Sequence, residues 1–163
     1  MTPPLAYLCG AIEHAADGGT GWRLEMGRFL QEELRHSVYD PAADQKKDLS
    51  AEELAGFRGW KLTAPDRFRG VVRKIIAWDL GWIELRADYL VALWDPAAAR
   101  GGGTAAEITL AYRLGKPVYL VLGMPRAEAS GWILACATEV FESFDKLTAF
   151  LRSEAFKRQA PIR

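Results

Sequence analysis

Short apolar runs of strand length alternate with helical segments along this chain, and this order restricts the fold more than any other feature. The predicted strands cover residues 5–9, 37–39, 88–94, 116–122 and 138–141. The predicted helices cover residues 22–34, 66–85, 104–112 and 143–151. Strands that are apolar on both faces and that alternate with helices predict a parallel sheet with helices on both sides.

The length of the chain predicts one domain with one inserted segment. With 163 residues it has the size of an ordinary domain. We therefore predict a single α/β domain over residues 1–163, built on a sheet of about five strands. Residues 41–65 interrupt the alternation, because they are polar and charged and contain Ser50 and Glu53 at the spacing of a helix capping box. We expect a lid-like insertion with a short helix there.

Charge and hydropathy exclude several classes of partner. The 21 basic residues are balanced by 21 acidic ones, so the chain has no field of one sign to hold a nucleic acid polymer or an anionic membrane surface. The longest apolar runs are far shorter than the roughly 18 residues that indicate a membrane span. We therefore expect a small-molecule partner, with no nucleic acid and no membrane.

The N-terminus and the few metal-binding side chains indicate a cytoplasmic protein without a metal or cofactor. The first strand follows Met1 closely, with no basic flank and no cleavage signal for export. Cys9 and Cys136 lie far apart in apolar surroundings, and we expect both to be reduced core residues. His14 and His36 have no partners at the spacing of metal ligands.

Glycines and one acidic residue follow the predicted strands at their carboxyl ends. Gly10 follows the first strand, Asp95 follows the third, and residues 101–103 are glycines that lead into a helix. Ligands of open parallel sheets bind in the crevice beyond the carboxyl ends of the strands. A helix N-terminus adds free N–H groups that favour an anion or a polar sugar edge. The sequence therefore predicts a ligand site in this crevice.

Glu107 lies on the first turn of the helix after the glycines, where its carboxylate can face the crevice. The spacing from Thr104 to Glu107 is also that of a capping box, in which the glutamate returns to the backbone at the start of the helix. Spacing alone leaves a functional role and a structural role for Glu107 equally open.

Two further side chains are candidates for chemistry. Asp79 lies on the helix face that Ile76 and Ile83 mark as apolar, so its charge must be compensated or functional. A contact with a neighbouring backbone amide is the structural alternative. Tyr7 lies in the first strand, where an aromatic residue with no role in a site is the alternative.

Four fragments of the chain are informative in combination. They are Tyr7-Leu8-Cys9-Gly10-Ala11-Ile12, Asp79-x8-Asp88-Tyr89-Leu90-Val91-Ala92, Gly103-Thr104-Ala105-Ala106-Glu107-Ile108 and Gly115-Lys116-Pro117-Val118. In this order they resemble the nucleoside 2-deoxyribosyltransferase family, which includes the related nucleoside-monophosphate N-glycosidases. The resemblance spans most of the domain.

The resemblance implies a Rossmann-like or flavodoxin-like domain, usually in a homodimer, that cleaves the N-glycosidic bond of a nucleoside or nucleotide. On the matching positions it implies that Glu107 is the nucleophile, that Asp79 helps to protonate the leaving base, and that Tyr7 orients Glu107. Water as the acceptor would give hydrolysis, and a second base would give transfer. The candidate substrate-binding residues are Gly10, Ile12, Asp95, Gly102, Gly103 and Thr104.

Two positions depart from the family pattern, and both concern the substrate. Relatives that use a monophosphate tend to carry a basic residue just after the first-strand Gly-x-Ile, whereas this chain has Glu13, which would repel a phosphate. Gly101 occupies the position six before the glutamate, where an aspartate or serine is usual. Arg23 and the insertion are the two places from which a compensating positive charge could come.

Two functions of other classes remain alternatives. One is a noncatalytic nucleotide-sensing domain that has kept the fold and lost turnover. The other is an unrelated α/β ligand-binding protein in which Glu107 is only a helix cap.

Overall fold

The computed structural model describes residues 2–44 and 47–159, and a sheet of five parallel strands forms its centre. The strands are β1 (Leu5–Cys9), β2 (Ser37–Tyr39), β3 (Tyr89–Trp94), β4 (Val118–Leu122) and β5 (Glu139–Phe141). They pair in the order β2-β1-β3-β4-β5, and each neighbouring pair is parallel. This is the strand order of flavodoxin-like domains. The predicted α/β class and strand number are confirmed.

The helices follow the predicted alternation. They are α1 (Thr20–Glu32), α2 (Ala51–Thr63), α3 (Pro65–Leu85), α4 (Pro96–Arg100), α5 (Gly103–Arg113), α6 (Gly131–Cys136), α7 (Phe144–Leu151) and α8 (Glu154–Gln159). A turn of 3₁₀-helix covers Arg126–Glu128. The helix in the insertion, α2, begins with the predicted capping box of Ser50 and Glu53. Helix α4 begins at Pro96, directly after β3 and Asp95, because a proline suits the first helical position.

The strands divide the core into two layers of side chains. Tyr7 and Cys9 of β1 pack in the layer that contains α3, α4, α5 and α6. Ala6 and Leu8 pack in the opposite layer, with α1, α7 and α8. Successive residues of a strand point to opposite faces, so residues 7 and 9 share a face. The predicted cover of helices on both sides of the sheet is confirmed.

Arg23 fixes the loop that joins β1 to α1. Its guanidinium donates to the carbonyl oxygens of Gly10 and Gly19 at 2.7 Å each and of Ala11 at 3.1 Å. The side chain is only 1% exposed. Gly19 has a left-handed backbone with φ 73°, and an added Cβ there would lie 2.2 Å from the carbonyl oxygen of Ala11. The shape of the loop after β1 therefore depends on one buried arginine and on one glycine.

A search of the described part of the chain for membrane-spanning helices gave none, because each of its helices is too short or too polar to cross a bilayer.

Replacing Arg23 with methionine should lower the free energy of unfolding by about 3 kcal/mol or more, because the carbonyl groups of Gly10, Ala11 and Gly19 lose a charged donor. Equilibrium unfolding in urea, followed by circular dichroism, measures the loss. The matched control is Arg28→Met, because Arg28 is an exposed arginine of the same helix; it should change stability by less than about 0.5 kcal/mol. Similar losses for the two variants would contradict the role assigned to Arg23.

Candidate active site

A cavity of about 470 Å³ lies at the carboxyl ends of the strands, where the fold predicts a ligand. Its volume is within the range of small-molecule sites. The loop after β1, the middle of α3, the start of α5 and the insertion surround it. Polar and charged side chains on its wall are Glu13, His14, Asp44, Lys47, Arg58, Asp79, Thr104 and Glu107.

Glu107 is held by two donors from one strand. The hydroxyl of Tyr7 donates to Oε1 of Glu107 at 2.7 Å. The thiol of Cys9 donates to Oε2, with the sulfur 3.0 Å from the oxygen. Both donors lie on the face of β1 against which α5 packs. Each oxygen of the carboxylate therefore has a fixed partner from the centre of the sheet.

These contacts exclude one of the two roles that spacing left open for Glu107, that of a helix cap. Helix α5 begins at Gly103 with Gly102 as its N-cap residue, and no side chain caps it. Thr104 lies inside the helix, and the oxygens of Glu107 accept from β1 instead of returning to the start of α5. The capping-box interpretation is wrong. Tyr7 is likewise more than a strand aromatic, since its hydroxyl holds this carboxylate.

The enclosure of Glu107 changes its acidity. Burial raises the pKa of Glu107 above its ordinary value and outweighs the hydrogen bonds from Cys9 and Tyr7, which favour the charged form. The charge of Asp79 also raises it. Burial and then the charge of Glu107 raise the pKa of Tyr7 and of Cys9, so both remain protonated donors at neutral pH.

Asp79 is buried and compensated by an ion pair. Its side chain faces the same cavity as Glu107, and the residue is only 8% exposed. Oδ2 accepts from the ammonium of Lys47 at 2.8 Å, and Oδ1 accepts from the hydroxyl of Tyr39 at 3.3 Å. The apolar face predicted around Asp79 is only partly buried, because Ile83 is enclosed and Ile76 is 49% exposed.

Burial and the two partners of Asp79 have opposing effects on its acidity. Burial raises the pKa of Asp79, and it outweighs the charge of Lys47 and the hydrogen bond from that residue, which lower it. A carboxyl group with a raised pKa can hold a proton closer to neutral pH and can act as a general acid. Glu107 therefore has neutral hydrogen-bond donors, whereas Asp79 has a charged donor, the ammonium of Lys47.

Lys47, Tyr39 and Cys9 are part of the site, and sequence reasoning had given none of them a role in it. Lys47 belongs to the polar insertion, which has no periodicity from which a contact could be inferred. The one available signal was the unexplained charge of Asp79, which required a partner. Tyr39 also stacks on Trp82, with ring centroids 4.2 Å apart.

Seven of the nine predicted site residues line the cavity. They are Gly10, Ile12, Asp79, Gly102, Gly103, Thr104 and Glu107. Tyr7 lies behind Glu107 and has no exposed surface. Asp95 does not line the cavity, because its Oδ1 accepts from the backbone N–H of Ala98 at 2.7 Å and caps α4.

The charges near the mouth of the cavity also differ from what the sequence indicated. Glu13 lines the cavity but pairs with Lys61 of the insertion at 3.1 Å. Arg23 is committed to backbone carbonyls and does not line the cavity. Arg58 of the insertion is the basic residue on the wall besides Lys47 among the residues that the structure describes. Within the same described ranges, no cluster of His, Cys, Asp and Glu could hold a metal ion.

Comparison with known proteins adds evidence on the fold. No family model and no curated protein matches the chain. Among solved structures it is similar to the crystal structure of a conserved protein from Enterococcus faecalis V583, with a TM-score of 0.56 and 15% sequence identity. The match covers 96% of this chain and 99% of that one. At this identity the similarity shows a common fold.

Glu107→Gln should change how stability depends on pH. Folding raises the pKa of Glu107, so between its unfolded and folded values the native state binds more protons and stability falls as pH rises. Glutamine does not titrate, so the variant lacks this loss of stability. Unfolding in urea from about pH 4 to about pH 8 should show the variant gaining stability relative to the wild type as pH rises. The control is Glu25→Gln, an exposed position on α1; a parallel change in both variants would contradict the assignment.

Proposed function

We propose that this protein cleaves the N-glycosidic bond of a nucleoside or nucleotide and passes the sugar to water or to another base, with Glu107 as the nucleophile. The observation that carries the proposal is the partly buried carboxylate of Glu107, which two protonated donors hold at the wall of a cavity. A fixed carboxylate beside a ligand space suits attack on an acetal-like carbon. The same positions carry the resemblance to the nucleoside 2-deoxyribosyltransferase family.

In the first step, an oxygen of Glu107 attacks the anomeric carbon while the bond between that carbon and the base nitrogen breaks. The bonding electrons leave with the base, and Asp79 supplies the proton that neutralises it. The raised pKa of Asp79, which burial causes, supports this role. The sugar is left as an ester of Glu107.

In the second step, the acceptor attacks the same carbon, and the ester bond breaks to restore the carboxylate of Glu107. When the acceptor is water, its proton passes to Asp79, which returns to its starting form. When the acceptor is a second base, the proton of its attacking nitrogen passes to Asp79 in the same way, and the product is a new nucleoside. Tyr7 contacts Glu107 and not the cavity, so it acts by holding the nucleophile.

The insertion contributes the wall that suits a base. Leu54 and Phe57 of α2 line the cavity opposite the strand ends. Aromatic and aliphatic side chains provide the flat apolar contact that a heterocyclic ring requires. The insertion would thus act as the predicted lid, with Lys47 joining it to Asp79.

The charges of the cavity favour a nucleoside over its 5′-monophosphate. Among the described residues of the wall, Glu13, Asp44, Asp79 and Glu107 are acidic, whereas Lys47 and Arg58 are basic. Lys47 is already paired with Asp79. An additional phosphate would therefore meet the negative charges of Glu107 and of Glu13, the second of which is paired with Lys61.

A noncatalytic nucleotide-binding domain of the same fold is the second candidate. The observation that favours it is the ion pair of Asp79, because a carboxylate whose two oxygens already accept from Lys47 and Tyr39 has no proton to give. The experiment below separates the two candidates, since only one of them releases a base.

Two wider proposals are a homodimer, which the resemblance implies, and a cytoplasmic location, which suits the two free and buried cysteines. Sedimentation of the purified protein measures the first. Fractionation of the source cells measures the second.

Incubation with a panel of nucleosides and their 5′-monophosphates, with and without an acceptor base, should release free base that chromatography detects. Glu107→Gln should lower the rate by about three orders of magnitude or more, since the nucleophile is lost. Asp79→Asn should lower it by about 10²- to 10⁴-fold, as expected for a general acid. Mass spectrometry of the quenched reaction should find the sugar on Glu107. Binding of nucleosides without base release from any substrate would instead support the noncatalytic candidate.

The wild-type protein should use nucleosides with a higher kcat/KM than the corresponding 5′-monophosphates. Glu13→Gln should raise kcat/KM for monophosphates by about three- to tenfold and leave nucleosides almost unchanged, because one like charge is removed and Lys61 is freed. The matched control is Glu52→Gln, because Glu52 is a paired carboxylate as Glu13 is but lies away from the cavity. A monophosphate preference in the wild type, unaffected by Glu13→Gln, would show that the charge argument is wrong.

A further inference from the structure

We propose that Cys9 is a second positioning residue for Glu107, whose thiol holds Oε2 while the hydroxyl of Tyr7 holds Oε1. The inference rests on the proposed function, because it assigns Cys9 a part in preparing the nucleophile. Cys9 has no exposed surface and does not line the cavity, so its effect passes through the carboxylate of Glu107.

The geometry fits a hydrogen bond from the thiol to the carboxylate. The sulfur lies 3.0 Å from Oε2 of Glu107, and Cys9 has no exposed surface. The thiol has one proton and a second acceptor in reach, the carbonyl oxygen of Thr104 at 3.7 Å. The carboxylate oxygen is both nearer and charged, so it is the stronger acceptor.

A partly buried carboxylate is stabilised by a donor for each oxygen, and Tyr7 reaches only one oxygen of Glu107. The neighbouring position on the same face of β1 is residue 9, because side chains of a strand repeat every two residues. A thiol is suited to this position, since it packs as a small apolar group among core residues and still carries a proton. Burial keeps that proton on the sulfur, so the donor is permanent.

The second donor should have two effects on the nucleophile. It favours the ionised form of Glu107 against the effect of burial, so that more of the protein carries an active carboxylate at neutral pH. It also fixes the rotation of the carboxyl group, so that the attacking oxygen keeps its direction relative to the cavity. The first effect appears in the pH dependence of the reaction and the second in kcat.

The kinetic experiment compares Cys9→Ala, which removes the donor, with Cys9→Ser, which keeps one. In Cys9→Ala the acidic limb of the kcat/KM profile should move to higher pH, and kcat should fall by about tenfold with a smaller change in KM. Cys9→Ser should recover most of both losses. Cys136→Ala, at the other buried cysteine, should leave the profile unchanged and controls for packing.

Two kinetic results would overturn the proposal. In one, Cys9→Ala leaves the acidic limb in place whatever happens to kcat. In the other, Cys9→Ser is as defective as Cys9→Ala although both are folded. Either result would assign Cys9 to packing alone.

An infrared measurement tests the contact without any turnover. The S–H stretching band of Cys9 is the one that Cys9→Ala lacks, which separates it from the band of Cys136. In the wild type this band should lie at the frequency of a strong hydrogen bond, and Glu107→Gln should shift it towards that of a weaker one. A Cys9 band that does not respond to Glu107→Gln would refute the contact.

Together the two measurements separate failure of the inference from failure of the proposed function. If bases are released and the Cys9 band is unaffected by Glu107→Gln, the inference fails alone. If the band shifts but no substrate in the panel is cleaved, the proposed function fails, and Cys9 is only a structural partner of Glu107.

Discussion

The contact between Glu107 and the first strand is the interaction on which the candidate site depends. Tyr7 and Cys9 donate to its two oxygens from the centre of the sheet, so a helix that begins with flexible glycines presents its carboxylate in one direction. The contact requires that residues 7 and 9 share a face and that α5 packs on that face. The loop beyond these residues keeps its shape because Arg23 binds its carbonyl groups. Residues of the core thus hold the groups that form this wall of the cavity.

Two carboxyl groups in one cavity raise the question of how their charges are tolerated. Burial raises the pKa of both, and each also depends on its own partners. Glu107 has neutral donors that favour its charged form without cancelling the charge, whereas Asp79 has the ammonium of Lys47 at 2.8 Å. For a proton donor the decisive effect is burial, which keeps the pKa of Asp79 raised although Lys47 lowers it. The insertion, which supplies Lys47, is therefore part of the proposed chemistry as well as a cover for the cavity.

Most of the fold could be predicted from the sequence because its signals are local. The five strands and the longer helices are apolar runs and periodic segments, and the helix of the insertion was indicated by the capping box of Ser50 and Glu53. The short helices α4, α6 and α8 were not predicted, because five or six residues are too few for a periodic pattern. Asp95 shows the same limit, since an acidic residue before a proline is equally consistent with a loop, a ligand contact or a helix cap.

The sequence by itself determined the alternation of strands and helices, the position of the crevice and the candidate residues Tyr7, Asp79 and Glu107. Only the tertiary structure decided what these residues contact. Tyr7 and Glu107 are 100 positions apart, and Lys47 and Asp79 are 32 apart, so neither pair has a local signal. The spacing from Thr104 to Glu107 is the same whether Glu107 caps the helix or is held by the sheet. Which of the two occurs depends on the residues that β1 presents to α5. The physical reason is that the pattern along a chain fixes which face a side chain takes, whereas packing fixes what lies opposite it.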